Sequence, residues 1–150
     1  MAHGRVALVT GSSRGLGAEI ARRLGRDGFA VAVNGRTGDN GMAAVARAIQ
    51  GDGGIAEGFG ADVTAEDQVN GLVTAITSTF GPIDVLVLNA TGPQPEAPVT
   101  EVGWADHVAQ LDFFVKSPVL VGRAVLPGMQ ARRYGRIVSI DSEVAHRPPP

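Results

Sequence analysis

The sequence has no cysteine, which excludes a disulfide framework and any thiolate metal site; no metal is expected. No block of one charge sign is present, and the net charge is only −2. A basic face interleaved with aromatic residues is lacking too, so nucleic acid is not an expected partner. No apolar run approaches the roughly 20 residues that span a bilayer, and the N-terminus enters a strand pattern without a charged leader and apolar core. The expectation is a cytoplasmic protein with no membrane partner. At 150 residues the chain holds one domain with a real core.

Glycine is what the sequence has in excess. There are 21, about twice the usual share of roughly 7%, and they fall at element ends rather than in repeats. The most informative group follows the branched apolar run at 6–9, which reads as a buried strand. Gly11, Gly15 and Gly17 then form a turn of spacing Gly-x-x-x-Gly-x-Gly, and a helical pattern begins at Ala18. Strand, glycine turn and helix make a phosphate-binding arrangement. Glycines permit backbone conformations closed to other residues and close approach of main-chain N–H groups to a pyrophosphate, and the helix start adds its positive dipole end.

The segment Thr10-Gly11-Ser12-Ser13-Arg14-Gly15-Leu16-Gly17 resembles the cofactor motif of the short-chain dehydrogenase/reductase family, including its 3-oxoacyl-[acyl-carrier-protein] reductase-like members. The rest of the chain alternates in the way such a fold requires. Strands are expected over 29–33, 55–63, 83–88 and 136–140, with helices from 18, over 42–49, from a start at Thr64 to 80, and over a long stretch from Thr100 to Met129. Pro118 and Pro127 predict a kink or break in the last. Alternation without hairpins argues for an α/β fold of Rossmann type: a doubly wound parallel sheet of order 3-2-1-4-5 with helices on both faces. By comparison with the family, its C-terminal strands and helices are missing. The resemblance runs from Arg5 to His146 and implies one NAD(P)-binding domain over 1–150.

The second strand delivers Asn34-Gly35-Arg36 to the position that reads the adenosine ribose. An acid there would suit a free 2′-hydroxyl, whereas Arg36 offers a planar cation suited to a 2′-phosphate; the alternative is a solvated loop arginine. The resemblance sets Arg14 near the same phosphate, so NADP(H) is the expected cofactor. It also assigns Ser13, Leu16, Asn34 and Ile140 to the cofactor side, Asp62 and Val63 to the adenine, and Asn89, Ala90 and Thr91 to the Asn-Asn-Ala-Gly segment of relatives, with Leu88 and Thr91 departing from that pattern. Asp62 could equally be a loop carboxylate, with Thr64 capping the next helix.

By resemblance, Ser142 aligns with the serine that polarises the substrate carbonyl; on its own it could equally be a serine bonding local backbone. The family asparagine of the long helix aligns with Phe114, which is expected to pack in the core or against the substrate pocket. Either Asp112 or Lys116 would replace it in a proton relay, or the relay is built differently. The Tyr-x-x-x-Lys pair is absent: the single tyrosine is Tyr134 and the single lysine Lys116. The expectation is therefore the first part of a longer NADP(H)-dependent reductase acting on a small carbonyl or alcohol, a homo-oligomeric dimer or tetramer when complete. The chain as given would be inactive without an acid to stabilise the alkoxide. A non-catalytic dinucleotide-binding or scaffold module is the alternative.

Overall fold

The computed structural model describes residues 4–142; the proline-rich end at 148–150 and His146 lie outside them. Five strands form one parallel sheet of order β3-β2-β1-β4-β5, as the alternation required. They are β1 (Val6–Val9), β2 (Ala30–Gly35), β3 (Ile55–Gly60), β4 (Ile83–Leu88) and β5 (Arg136–Ser139). The helices are α1 (Gly15–Arg26), α2 (Gly41–Gly51), α3 (Glu66–Phe80), α4 (Trp104–Leu111) and α5 (Ser117–Arg132). β1 and β2 are buried throughout, which is why their sequences are continuous apolar runs rather than alternating ones.

Two cores sandwich the sheet. One packs Leu8, Leu86 and Phe59 against Ile76 of α3 and Val121 and Val125 of α5. The other packs Val9, Val31 and Val33 against Ala21 of α1 and Val45 and Ile49 of α2. Small residues make this second layer close: a Cβ added at Gly25 would lie 2.5 Å from the Ile49 side chain. At the amino edge of the sheet, Asp84 joins three elements, accepting from the Val6 N–H at 2.9 Å and pairing with Arg132 at 2.6 Å.

Several boundaries differ from the sequence expectations, each for an identifiable reason. β3 stops at Gly60 instead of 63, because its last partner is Gly35, beyond which β2 turns away. α3 is not capped by Thr64, whose N–H and hydroxyl both bond Asp62 Oδ1, at 2.8 and 2.7 Å; Ala65 takes the capping position. α1 starts at Gly15, within the glycine turn, rather than at Ala18. The long helix starts at Trp104 rather than Thr100, because 98–102 closes a turn on the Pro98 carbonyl.

Neither proline breaks that long helix. A π-helical turn at Asp112–Lys116 joins α4 to α5, and Pro118 occupies the first turn of α5. A proline ring at 118 would clash with the carbonyl four residues earlier and offers no N–H to it, and the wider turn is where that mismatch is absorbed. Pro127 lies inside α5 without ending it.

Among the described residues β5 pairs with β4 alone, and all four of its residues are exposed, with Ile137 at 43% and Val138 at 46%. An apolar parallel edge of this kind invites pairing with another chain. The 150-residue chain by itself should associate in the micromolar range, and Val138→Lys, which charges the edge, should shift sedimentation toward monomer. Unchanged monomeric sedimentation of the unsubstituted chain would contradict this.

Candidate functional site

The chain leaves β1 at Val9 and enters a polar clasp. Thr10 donates its hydroxyl to the Val87 carbonyl at 3.3 Å and accepts from the N–H groups of Asn89 and Ala90 at 3.0 and 3.1 Å. The Asn89 amide donates to the carbonyls of Thr10 and Gly11, both at 3.0 Å. From the other side, Asn34 Oδ1 accepts the Gly11 N–H at 3.2 Å, while its Nδ2 donates to Phe59 and Ala61 carbonyls at 3.1 and 3.3 Å. Ser12 completes the clasp, donating to the Val9 carbonyl at 2.7 Å and accepting from the Asn34 N–H at 3.0 Å.

The clasp explains the glycines. Gly11 has φ +62°, and a Cβ there would stand 2.7 Å from the Ala90 Cα; one at Gly17 would press into Asn89 Nδ2 and the Gly11 carbonyl. Gly15 also has positive φ, but open space beside it. The turn is thus locked on its inner side and clear on its outer side, where α1 begins. No side chain caps α1, and its first turn contains no acid, so its leading N–H groups and positive dipole end face the cleft.

That cleft has a volume of about 600 Å³ and runs along the carboxyl edge of the sheet, where order reverses between β1 and β4; open α/β sheets bind ligands at such a switch point. Its lining brings together every residue singled out for the cofactor side: Gly11, Ser13, Arg14, Gly15, Leu16, Gly17, Asn34, Arg36, Asp62, Val63, Asn89, Ala90, Thr91 and Ile140. Their roles within it differ. Asn34 is 1% exposed and its amide is committed to backbone, so it shapes the floor. Arg14 and Arg36 are exposed at the rim, and Leu16 stands 60% exposed. Asp62 is held below its ordinary carboxylate range first by the Thr64 hydroxyl, then by the Thr64 N–H, with the positive charges of Arg36 and Lys116 adding to this against partial burial.

Ser142 is exposed, two residues beyond Ile140, with its N–H on Asp141 Oδ1 at 2.7 Å, and it is not among the residues lining the cleft. Phe114, expected in the core or against the substrate pocket, is 47% exposed and outside the core; it lines an outer groove with Trp104, His107, Gln110 and Leu111, and also a small cavity at the carboxyl edge beside Asn89, Ala90, Thr91 and Ile140. Phe113 takes the inner position instead, packing on the core and lining the cleft near Gly92, where a Cβ would run into its ring. The π-helical turn shifts the helix register between the two rings. Sequence reasoning also missed Gly35, Asp39, Ala61 and Phe113 in the lining; for Asp39 the signal was present in Gly38-Asp39-Asn40-Gly41, a turn sequence ahead of a helix.

A locked glycine turn, an uncapped helix start and two guanidinium groups meet at the carboxyl edge of this α/β domain. The family model for short chain dehydrogenase matches residues 5–150, and the chain belongs to that family. It is 34% identical over 139 residues to 2-dehydro-3-deoxy-D-gluconate 5-dehydrogenase of Formosa agariphila, covering 93% of this chain and 52% of the relative. To gluconate 5-dehydrogenase of Gluconobacter oxydans it is 38% identical, covering 95% and 56%. Among solved structures, an F189W actinorhodin polyketide ketoreductase with NADPH superposes with TM-score 0.91 at 32% identity, covering 99% of this chain and 57% of that one. The chain thus spans about half the length of the curated relatives it matches, and this ketoreductase is one of four structural neighbours solved in complex with NADP or NADPH.

Two expected outcomes follow from the clasp and from Asp62. Asn34→Leu strips the Gly11 N–H and two buried carbonyls of their partner, and should cost about 2–3 kcal/mol in a urea titration. For Asp62 the folded pKa lies below the unfolded 3.8, so its stabilisation is present above that value and is lost as pH falls through the folded one. The stability difference between wild type and Asp62→Asn should therefore be flat above about pH 5 and shrink on further acidification; a difference that grows toward low pH would contradict the assignment.

Proposed function

We propose that this chain is the NADP(H)-binding part of an oxidoreductase that moves a hydride between nicotinamide and a ketone or secondary alcohol, with 3-oxoacyl thioesters and polyketides within the substrate class. The observation that carries the reading is the pair Arg14 and Arg36 on one rim of a cleft whose floor is the glycine turn. The residues present fit such a cofactor. The open side of Gly15 and the N–H groups at the start of α1 suit a pyrophosphate, and the two guanidinium groups suit a 2′-phosphate. Asp62 and Val63 lie to one side for an adenine, and Asn89, Ala90, Thr91 and Ile140 line the other end for the nicotinamide ribose.

When bound, the cofactor supplies the hydride. This chain's part is to hold and orient it, with Ser142 as the group that polarises a carbonyl. A proton donor is needed as well. Tyr134 precedes β5 at the amino edge of the sheet, away from the cleft, and is within 3.4 Å of Arg5. Lys116 pairs with Asp112 at 3.7 Å. The acid is therefore assigned to a segment beyond these residues, within a larger enzyme that forms a homo-oligomer and works in the cytoplasm. The same observation favours the second reading, a dinucleotide-binding module without catalysis.

Arg36→Ala should weaken NADPH by ~1.5–3 kcal/mol, the worth of a charge-assisted hydrogen bond, and leave NADH nearly unchanged in fluorescence titrations. Equal losses for both would sink the 2′-phosphate role. The 150-residue chain alone should bind NADPH without oxidising it when a 3-oxoacyl thioester is added; turnover would overturn the assignment of the acid to another segment.

A further inference from the structure

Asp39 lies on the same rim of the cleft as Arg14 and Arg36. Its N–H bonds the Arg36 carbonyl at 3.0 Å and its Oδ1 accepts the Gly41 N–H at 2.8 Å. The carboxylate is wedged between two glycines, since a Cβ at Gly35 would stand 3.0 Å from Oδ2 and one at Gly41 3.0 Å from Oδ1. The Ser13 hydroxyl and then the Gly41 N–H hold its carboxyl below the ordinary range against an opposing effect of burial, with the charge of Arg14 adding a lesser pull, so it is an anion at neutral pH. Neither Arg14 nor Arg36 is among the ion pairs formed by the described residues.

A fixed anion therefore stands beside the two cations that a 2′-phosphate would use. It cannot swing away without giving up the Gly41 and Ser13 bonds that shape the turn between β2 and α2. We propose that Asp39 is a specificity-determining residue, whose charge tempers the preference for 2′-phosphorylated dinucleotides over unphosphorylated ones. The inference rests on the reading that Arg14 and Arg36 receive the 2′-phosphate. Its physical basis is like-charge repulsion in an open cleft, where solvent reduces the effect without abolishing it.

The test is calorimetric titration of the full chain with NADP+ and NAD+, for wild type, Asp39→Asn, Asp39→Ala and Arg36→Ala. Asparagine keeps an oxygen for the Gly41 N–H and the Ser13 hydroxyl but removes the charge. Asp39→Asn should tighten NADP+ about tenfold and leave NAD+ within about threefold, and the gain should shrink at high salt, as a charge effect must. Asp39→Ala should give the same direction for NADP+, offset by some loss for both cofactors as the turn loosens. An NADP+ affinity that is unchanged or weaker in Asp39→Asn, with an unaltered melting temperature, overturns the inference. Weaker binding of both cofactors by Asp39→Asn and a lowered melting temperature would also overturn it, by showing that the residue only holds the loop. If wild type prefers NADP+ and Arg36→Ala abolishes that preference, a silent Asp39→Asn sinks this inference alone. If wild type shows no preference and Arg36→Ala changes nothing, the 2′-phosphate reading falls and takes the inference with it.

Discussion

Gly11 is gripped from both sides, its N–H by Asn34 and its carbonyl by Asn89, and the geometry of the whole cleft depends on that grip. The two asparagines come from the ends of β2 and β4, the strands that flank β1. Each side-chain amide therefore ties a neighbouring strand to the turn between β1 and α1. Such bonds are strong constraints because they are buried: a donor or acceptor left unpaired there costs about 1–3 kcal/mol, and among the described residues no buried side-chain polar atom lacks a partner. The turn is held by many partly redundant bonds, and the start of α1 inherits that precision.

The consequences reach the helices and the far edge of the sheet. The inner side of the turn is closed by Ala90 and Asn89 and the N–H groups of Gly11 and Ser12 are taken by Asn34, so the N–H groups at the start of α1 are the ones that present outward, where the guanidinium groups of Arg14 and Arg36 and the carboxylates of Asp39 and Asp62 form a charged rim. Away from the clasp, apolar side chains face outward among the described residues: β5 is exposed along its length, and Phe114 and Val115 of the π-helical turn and Val119 of α5 stand out from the helical run.

Much of this was legible in the residues. Continuous apolar runs at β1, β2 and β4 signalled strands buried on both faces, and their alternation with helical patterns yielded the sheet order that the structure has. The glycine spacing identified the turn, and side chains at strand ends were assembled into one cleft because parallel strands all deliver their carboxyl ends to the same edge. What escaped was set by contacts that spacing does not encode. Thr64 looks like a cap but is consumed by Asp62. Phe113 and Phe114 are neighbours with the same chemistry, and only the π-helical turn decides which ring faces inward. Asp39 carries no periodic signal, and its importance comes from lying beside Ser13 and Arg14, residues more than 20 positions earlier in the chain.

The central claim is that the outward N–H groups of the turn, fixed by Asn34 and Asn89, receive the phosphates of a dinucleotide. Amide chemical shifts of the chain during titration with NADPH test it most directly. The account predicts that Gly15, Leu16 and Gly17 move furthest at saturation, with Arg14 and Arg36 following, while the amides of β5 and of the outer groove at Trp104 and Leu111 stay in place. Saturable binding that leaves the amides from Gly11 to Gly17 unmoved and shifts the outer groove instead would contradict it.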